Sequence, residues 1–348
     1  MKKITKIVFG IFFASLLSTS IQAGELTVTG GVTATYTSGG ADQSSGKSIG
    51  ISNELAFGAS GELDNGWKWT YSTELDGTST ITDDVQLVIN TGDMGTIGIF
   101  SHEGGLRTNV VAAGAIGSGY DYASPMTFQA GYNVDGYGNI QYHTPAGVLP
   151  FGGSIKVGYV PNTTNTGVLS AKESAGAKGD EATGRDLTQV QVSVAPMDGL
   201  TVKGDIAFTG GEKGTAGSTE QGVSGYINAA YAYGPFKIGY AEGAYQPAVA
   251  SGEITYYENT SYGISFALND SITLSYNNDQ SDKNVRSAVA AGATAGTRAV
   301  TSAEQDTYQI AYTMGGMTLG YSMADVSNSD YAAGHNETVN ILSVAMSF

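Results

Sequence analysis

Large apolar side chains recur at every second position through most of this chain, and that period of two limits the fold more than any other feature. Leu342, Val344, Met346 and Phe348 fall on one side of an extended segment, with Ser343, Ala345 and Ser347 on the other. Successive side chains of a strand point to opposite faces. The pattern returns at Leu26, Val28, Val32, Ala34 and Tyr36 against a row of threonines, at Ile49, Ile51, Leu55 and Phe57, and at Trp67, Trp69 and Tyr71. It returns again at Val190, Val192 and Val194, at Val202, Ile206 and Phe208, and at Ile272, Leu274 and Tyr276. Each run is about ten residues, the length of a tilted strand crossing a bilayer. A hydrophobic strand at the end of a soluble domain invites pairing with other chains. A closed barrel in a membrane removes that edge and turns the apolar face to lipid.

The N-terminus predicts export. Lys2, Lys3 and Lys6 precede the apolar run Ile7 to Leu17, and a polar approach leads to Ala23. This layout reads as a signal peptide over 1–23, with the barrel in 24–348. Residues 24–348 hold 13 Lys and Arg against 32 acids, a formal charge of about −19. Nucleic-acid binding is excluded as a function class, because phosphate backbones are gripped by clustered bases. There is no cysteine, so disulfides, zinc thiolates and a cysteine nucleophile are excluded. Fifty glycines disfavour long helices, while 21 tyrosines argue against a disordered chain.

Turns and loops alternate along the sequence. Tight turns are predicted at Asp64-Asn65-Gly66, Gly92 to Gly95, Asp198-Gly199, Gly234-Pro235, Asn269-Asp270 and Gly315-Gly316. Longer polar segments at 38–47, 162–186, 209–221, 280–304 and 327–337 read as loops. Short turns on one side and long loops on the other describe an outer-membrane barrel, and the reversals count to sixteen antiparallel strands. Phe57, Trp67, Phe236, Phe266, Tyr312 and Phe348 lie near short-turn ends, and Tyr36, Tyr71, Phe208, Tyr240, Tyr276 and Tyr321 near long-loop ends. Two such rows match interfacial girdles. A soluble sandwich or propeller would place its aromatics in a core instead.

With the signal segment, the start Gly24-Glu25-Leu26-Thr27-Val28, the stretch Gly138-Asn139-Ile140-Gln141-Tyr142-His143-Thr144-Pro145 and Phe348, residues 24–348 resemble the Gram-negative trimeric general porins of alphaproteobacterial type. His143 and Thr144 depart from the acidic-Ser pattern usual in that family. The resemblance implies an all-β transmembrane barrel of sixteen strands, a homotrimer in the outer membrane, and a long third loop folded into the lumen. It also implies that the alternating end Leu342, Val344, Met346 and Phe348 is an address for the barrel-assembly machinery.

A strand at 138–145 leaves 103–137 as one long connection after Thr96–Ser101. Loops of more than about 15 residues are functional or disordered, and five aromatics between Tyr120 and Tyr137 favour an inward-packed constriction loop. Its charged candidates for the eyelet are Glu103, Arg107, Asp121 and Asp135. Alternation assigns Glu54, Lys68, Glu74, Asp84, Lys156, Lys203, Asp205 and Lys237 to the pore wall, where fixed charge biases permeating ions. Wall lysines could equally pair with nearby carboxylates or contact lipid and lipopolysaccharide head groups. An arginine wall facing the loop, the arrangement familiar in the resembled family, is not visible, and one Arg against three acids in the loop predicts a weak cation preference.

No catalytic, metal or cofactor site is expected. His102, His143 and His335 are the only imidazoles; His102 beside Glu103 reads as a constriction-loop hydrogen bond, and neither His143 nor His335 has the partners that catalysis needs. Asn277 to Asp282 offers oxygens for Ca²⁺ but lacks EF-hand spacing, so it reads as a solvated turn. The expected function is passive diffusion of small hydrophilic solutes. A substrate-selective channel and a structural or adhesive barrel are the alternatives.

Overall fold

The computed structural model describes residues 26–41, 44–76, 83–101, 103–108, 129, 131–163, 185–210, 221–248, 255–286 and 298–348. The export segment 1–23 therefore lies outside the described residues. The first eight strands are β1 (Leu26–Ala41), β2 (Ser44–Glu62), β3 (Lys68–Asp76), β4 (Asp83–Asn90), β5 (Thr96–Ser101), β6 (Asn139–His143), β7 (Ser154–Val160) and β8 (Leu187–Met197). The second eight are β9 (Leu200–Thr209), β10 (Val223–Tyr233), β11 (Phe236–Gln246), β12 (Thr255–Ala267), β13 (Ile272–Arg286), β14 (Arg298–Met314), β15 (Met317–Ser327) and β16 (Glu337–Ser347). Each pairs antiparallel with its neighbours in sequence, and β16 returns to β1, so the sheet is a closed sixteen-stranded barrel.

Closure leaves no edge strand with unpaired backbone groups. At the seam Val32 stands opposite Met346 and Tyr36 opposite Leu342. The Gly30 amide donates to the Phe348 carbonyl (3.0 Å), and the Phe348 amide donates back to Gly30 (2.9 Å). Gly30 is required by this close approach: a Cβ there would sit 2.6 Å from the Glu54 carbonyl oxygen and 2.9 Å from the Phe348 ring.

The period of two sorts the barrel into two surfaces. Outward positions carry Ile51, Leu87, Ile99, Val157, Val192, Ile206, Ile227, Ile238 and Ile264, all exposed. Inward positions carry Gln141, Gln189, Gln191, Ser224, Asn259, Ser261 and Ser281, all buried inside the barrel. This is the reverse of a water-soluble core, and it suits a wall between lipid and an aqueous interior. The predicted aromatic rows form on the outer face. Phe236 stacks on Phe266 at 4.7 Å near the short-turn end, and Tyr262, Tyr276 and Tyr308 run side by side at 6.4 and 5.1 Å toward the long-loop end.

Four expectations from the sequence require correction. Residues 38–47 are largely strand, because β1 and β2 remain paired out to Ala41 and Ser44. Likewise β13 and β14 extend to Arg286 and Arg298, which shortens the loop expected at 280–304. The segment Asn277 to Asp282 is accordingly the middle of β13 and not a solvated turn. The physical reason is shared: beyond the tyrosine row the outward positions become polar. Asn278 donates to Glu304 (2.8 Å) and Asp306 (3.0 Å), and Tyr276 donates to Asp306 (2.6 Å). Strands that continue past an apolar band look like loops when hydrophobicity alone is read. Finally, alternation fails at Asp84. The register slips between Ser72, which faces Gln86, and Glu74, which faces Asp83, leaving Asp84 as the extra residue with φ 50°. One extra residue on one strand is a β-bulge.

Candidate functional site

The connection from β5 to β6 turns into the barrel at both of its described ends. Leu106 and Val134 pack against Val160, Leu187 and Ala207, side chains projecting inward from β7, β8 and β9. Gly158 makes room for them: a Cβ there would press on Leu106 at 3.0 Å and on Val134 at 3.2 Å. A small apolar patch on a polar wall holds the loop, and buried backbone groups around it must then find partners.

Those partners are side-chain amides. Asn139 on β6 donates to the carbonyls of Glu103 and Val134, each at 3.0 Å. Gln141 donates to the Gly104 carbonyl and Gln191 on β8 to that of Leu106 (2.7 Å). Gln189, fully buried, accepts from the Val134 amide (3.1 Å) and donates to Asp205 (2.9 Å). Asp205 in turn accepts from the Thr108 amide at 2.6 Å. Inside the loop, Asn133 accepts from the amides of Leu106 (3.0 Å) and Arg107 (3.1 Å), joining outgoing and returning limbs.

A second tie lies further around the wall. Asn259 on β12 donates to the Gln129 carbonyl (3.1 Å) and to the Tyr226 hydroxyl (2.6 Å). Tyr132 receives the Ala248 amide at its hydroxyl (3.0 Å) and donates its own amide to Ser224 (3.1 Å). Its ring meets Tyr245 edge-on at 5.3 Å, and Tyr245 stacks on Tyr257 at 5.7 Å.

The residues singled out from the sequence fall into distinct places. Arg107 and Asp135 line a cavity of about 690 Å³ beneath the loop, together with Lys156, Lys203 and Lys237. Glu103 folds back to accept from the neighbouring Gly104 amide at 2.6 Å, and Asp121 lies outside the described residues. Asp205 lies inside the barrel but is committed to the loop, so it serves as a tie and not as an exposed wall charge. Glu54 and Glu74 stand on β2 and β3, away from the cavity lining; Lys68 faces Glu62 and Asn90 across the sheet. Leu342, Val344, Met346 and Phe348 share the outward face of the last strand, Phe348 being 73% exposed.

Electrostatics within the loop follow from burial. Burial pushes the Asp135 carboxyl up from 3.8; Arg107 opposes that and Glu103 adds to it. Burial also raises the Tyr137 phenol. His143 stands 2.8 Å from Gln141 (Nε2 to Oε1), a wall contact without a nucleophile or carboxylate in it.

Sequence reasoning missed the holding residues: Asn139, Gln141, Gln189, Gln191 and Asn259. The available signal was chemical. Amides at inward positions of adjacent strands have four hydrogen-bonding sites to fill, more than a solvated wall requires.

No family model matches the chain, and no curated protein is significantly similar to it. Solved structures do resemble it in fold. A loop-deletion mutant of OmpT, an outer membrane protein of Vibrio cholerae, superposes with a TM-score of 0.66 at 12% identity, over 94% of this chain and 100% of that one. An anion-selective porin from Comamonas acidovorans gives 0.63 at 13% identity, over 93% and 100%. The outer membrane channel DcaP of Acinetobacter baumannii gives 0.61 at 11% identity, over 93% and 97%. At these identities the likeness is one of fold.

Proposed function

We propose that this chain is a passive, non-enzymatic channel in the outer membrane of a Gram-negative bacterium, admitting small hydrophilic solutes and ions. The observation that supports it most is the inverted barrel: apolar side chains outside, amides and hydroxyls inside, and a loop tied to the inner wall. In this reading residues 103–137 narrow the lumen, Glu103, Arg107 and Asp135 border the passage, and sieving together with fixed charge sets what passes. Bases outnumber acids on the described lining of the cavity beneath the loop. The selectivity proposed there is accordingly weak and toward anions, in place of the cation preference suggested by loop composition.

The Vibrio cholerae OmpT also occurs in a trimer form, and a homotrimer is proposed here by extension. Contact with lipopolysaccharide and insertion by the barrel-assembly machinery belong to the same proposal. A solute-selective channel is the second reading, favoured by the clustered lysines of the cavity.

Planar-bilayer recording tests both. Conductance growing nearly linearly with salt is expected for general diffusion, whereas saturation with one solute class supports a binding channel. A folded protein that passes no current overturns both readings. Reversal potential in a salt gradient gives the sign of the preference, and a clear cation value refutes the anion lean.

A further inference from the structure

We infer that the cavity beneath the inner loop is an oxyanion subsite on the permeation path, built for small solutes carrying a phosphate or paired carboxylates. This rests on the channel reading, and it adds a ligand class and the residues that hold it.

Charge distribution is the first argument. Residues 24–348 contain only 13 Lys and Arg against 32 acids. Four of those 13, Arg107, Lys156, Lys203 and Lys237, line this one cavity, with Asp135 the only carboxylate among its lining residues. Random placement in so acidic a chain would surround each base with carboxylates. Yet among the described residues Lys156, Lys203 and Lys237 form no ion pair.

The nearby acids are also accounted for. Asp205 is 8% exposed and already accepts from the Thr108 amide and the Gln189 side chain. Asp135 accepts from Asn133 at 2.5 Å, and burial disfavours its charged form. Neither is placed to neutralise three ammonium groups. Like charges held in one concave space repel, and an anion of two charges relieves that repulsion better than chloride does.

Geometry supplies the second argument. The three lysines step along the wall on β7, β9 and β11, each within four residues of its strand's short-turn end. Arg107 reaches from the loop above, and its Nη1 donates to the Gly131 carbonyl at 3.3 Å, which draws the guanidinium toward the returning limb of the loop. Ammonium groups act as adjustable point charges, while a planar guanidinium presents paired donors to an oxyanion. A cavity of about 690 Å³ is in the size range of small-molecule sites, so hydrated solutes can pause there without plugging the pore.

The test uses the full-length protein in planar bilayers and inorganic phosphate as probe. In KCl the channel conducts; phosphate added on the short-turn side is expected to reduce single-channel current in a saturable way. Chloride at equal ionic strength is expected not to. Each of Lys156→Gln, Lys203→Gln and Lys237→Gln should raise the half-blocking phosphate concentration about threefold, the scale of an exposed charge pair. The triple variant should raise it roughly 30-fold if the sites add.

Phosphorus NMR line broadening by the protein in micelles reads binding without current. Broadening with no conductance leaves oxyanion binding in the cavity standing and overturns the channel reading, together with the placement on a permeation path. Conductance without saturable block or broadening overturns the subsite alone. So does a correctly folded triple variant that keeps wild-type block.

Discussion

Replacing Gln189 by methionine should loosen the inner loop without unfolding the barrel. The side chain is fully buried and fills two roles at once, accepting from Val134 (3.1 Å) and donating to Asp205 (2.9 Å). Methionine keeps the length and volume but offers neither group. The Val134 amide is then orphaned in a buried place, costing about 1–3 kcal/mol, and a bond to a carboxylate worth about 1.5–3 kcal/mol is lost. Some is regained by the apolar thioether, so a net of roughly 3 kcal/mol is expected for the seating of the loop. At 1.4 kcal/mol per factor of ten, the unseated population rises about 100-fold. The sheet itself keeps every backbone pair, because the Gln189 main chain still faces Ala207 and Gly158. Hydrogen exchange of the detergent-solubilised protein, followed by mass spectrometry, reads the effect peptide by peptide. Exchange should accelerate at 104–108 and 131–138 while the strand peptides of β13–β16 stay unchanged. Exchange at 104–108 and 131–138 that differs by less than about threefold, in a folded variant, would refute the idea that neutral amides hold the loop.

Deleting Phe348 removes two seam hydrogen bonds with Gly30, worth about 1 kcal/mol each. Detergent-refolded barrel should lose little stability, whereas insertion in cells should fall sharply; equal folded fractions on heat-modifiability gels in vivo would contradict this. The Asp135 carboxyl has its pKa raised by burial, so the seated loop takes up a proton there more readily than the open one. That stabilisation is complete below 3.8 and fades as pH rises through the raised folded value. Brief conductance jumps from loop movement should therefore become rarer as pH falls from neutral toward that range. Asp135→Asn should abolish the trend, and a variant that keeps the full pH dependence assigns it to another group.

The parts of the fold that follow a local rule were legible. Leu342 to Phe348, Val190 to Val194 and the Gly-containing turns each report on residues two or three apart in sequence, and the strand count follows from them. What was not legible depends on distance in sequence or on solvent. Asn278 and Asp306 face outward beyond the tyrosine row, where polarity no longer distinguishes strand from loop. The slip at Asp84 is a matter of pairing register, which one strand alone does not encode. Most ties to the loop join residues 36 to 130 positions apart, as between Asn139 and Glu103 or Asn259 and Gln129, although Asn139 also reaches the nearby Val134. Asp205 shows the same limit from the other side: alternation places it correctly inside, yet only its contacts with Thr108 and Gln189 reveal that it is a fastening and not a filter.

The chemistry of that fastening has a consequence for where the proposed channel can work. The loop is held by amide and carbonyl dipoles and by one shielded carboxylate, with none of the described ties an ion pair between opposite charges. Dissolved salt screens exposed charges over about 8–10 Å at ordinary strengths, but it has little purchase on dipoles already desolvated. The aperture should therefore keep its width from fresh water to brine, even as the charge bias of the cavity beneath it fades.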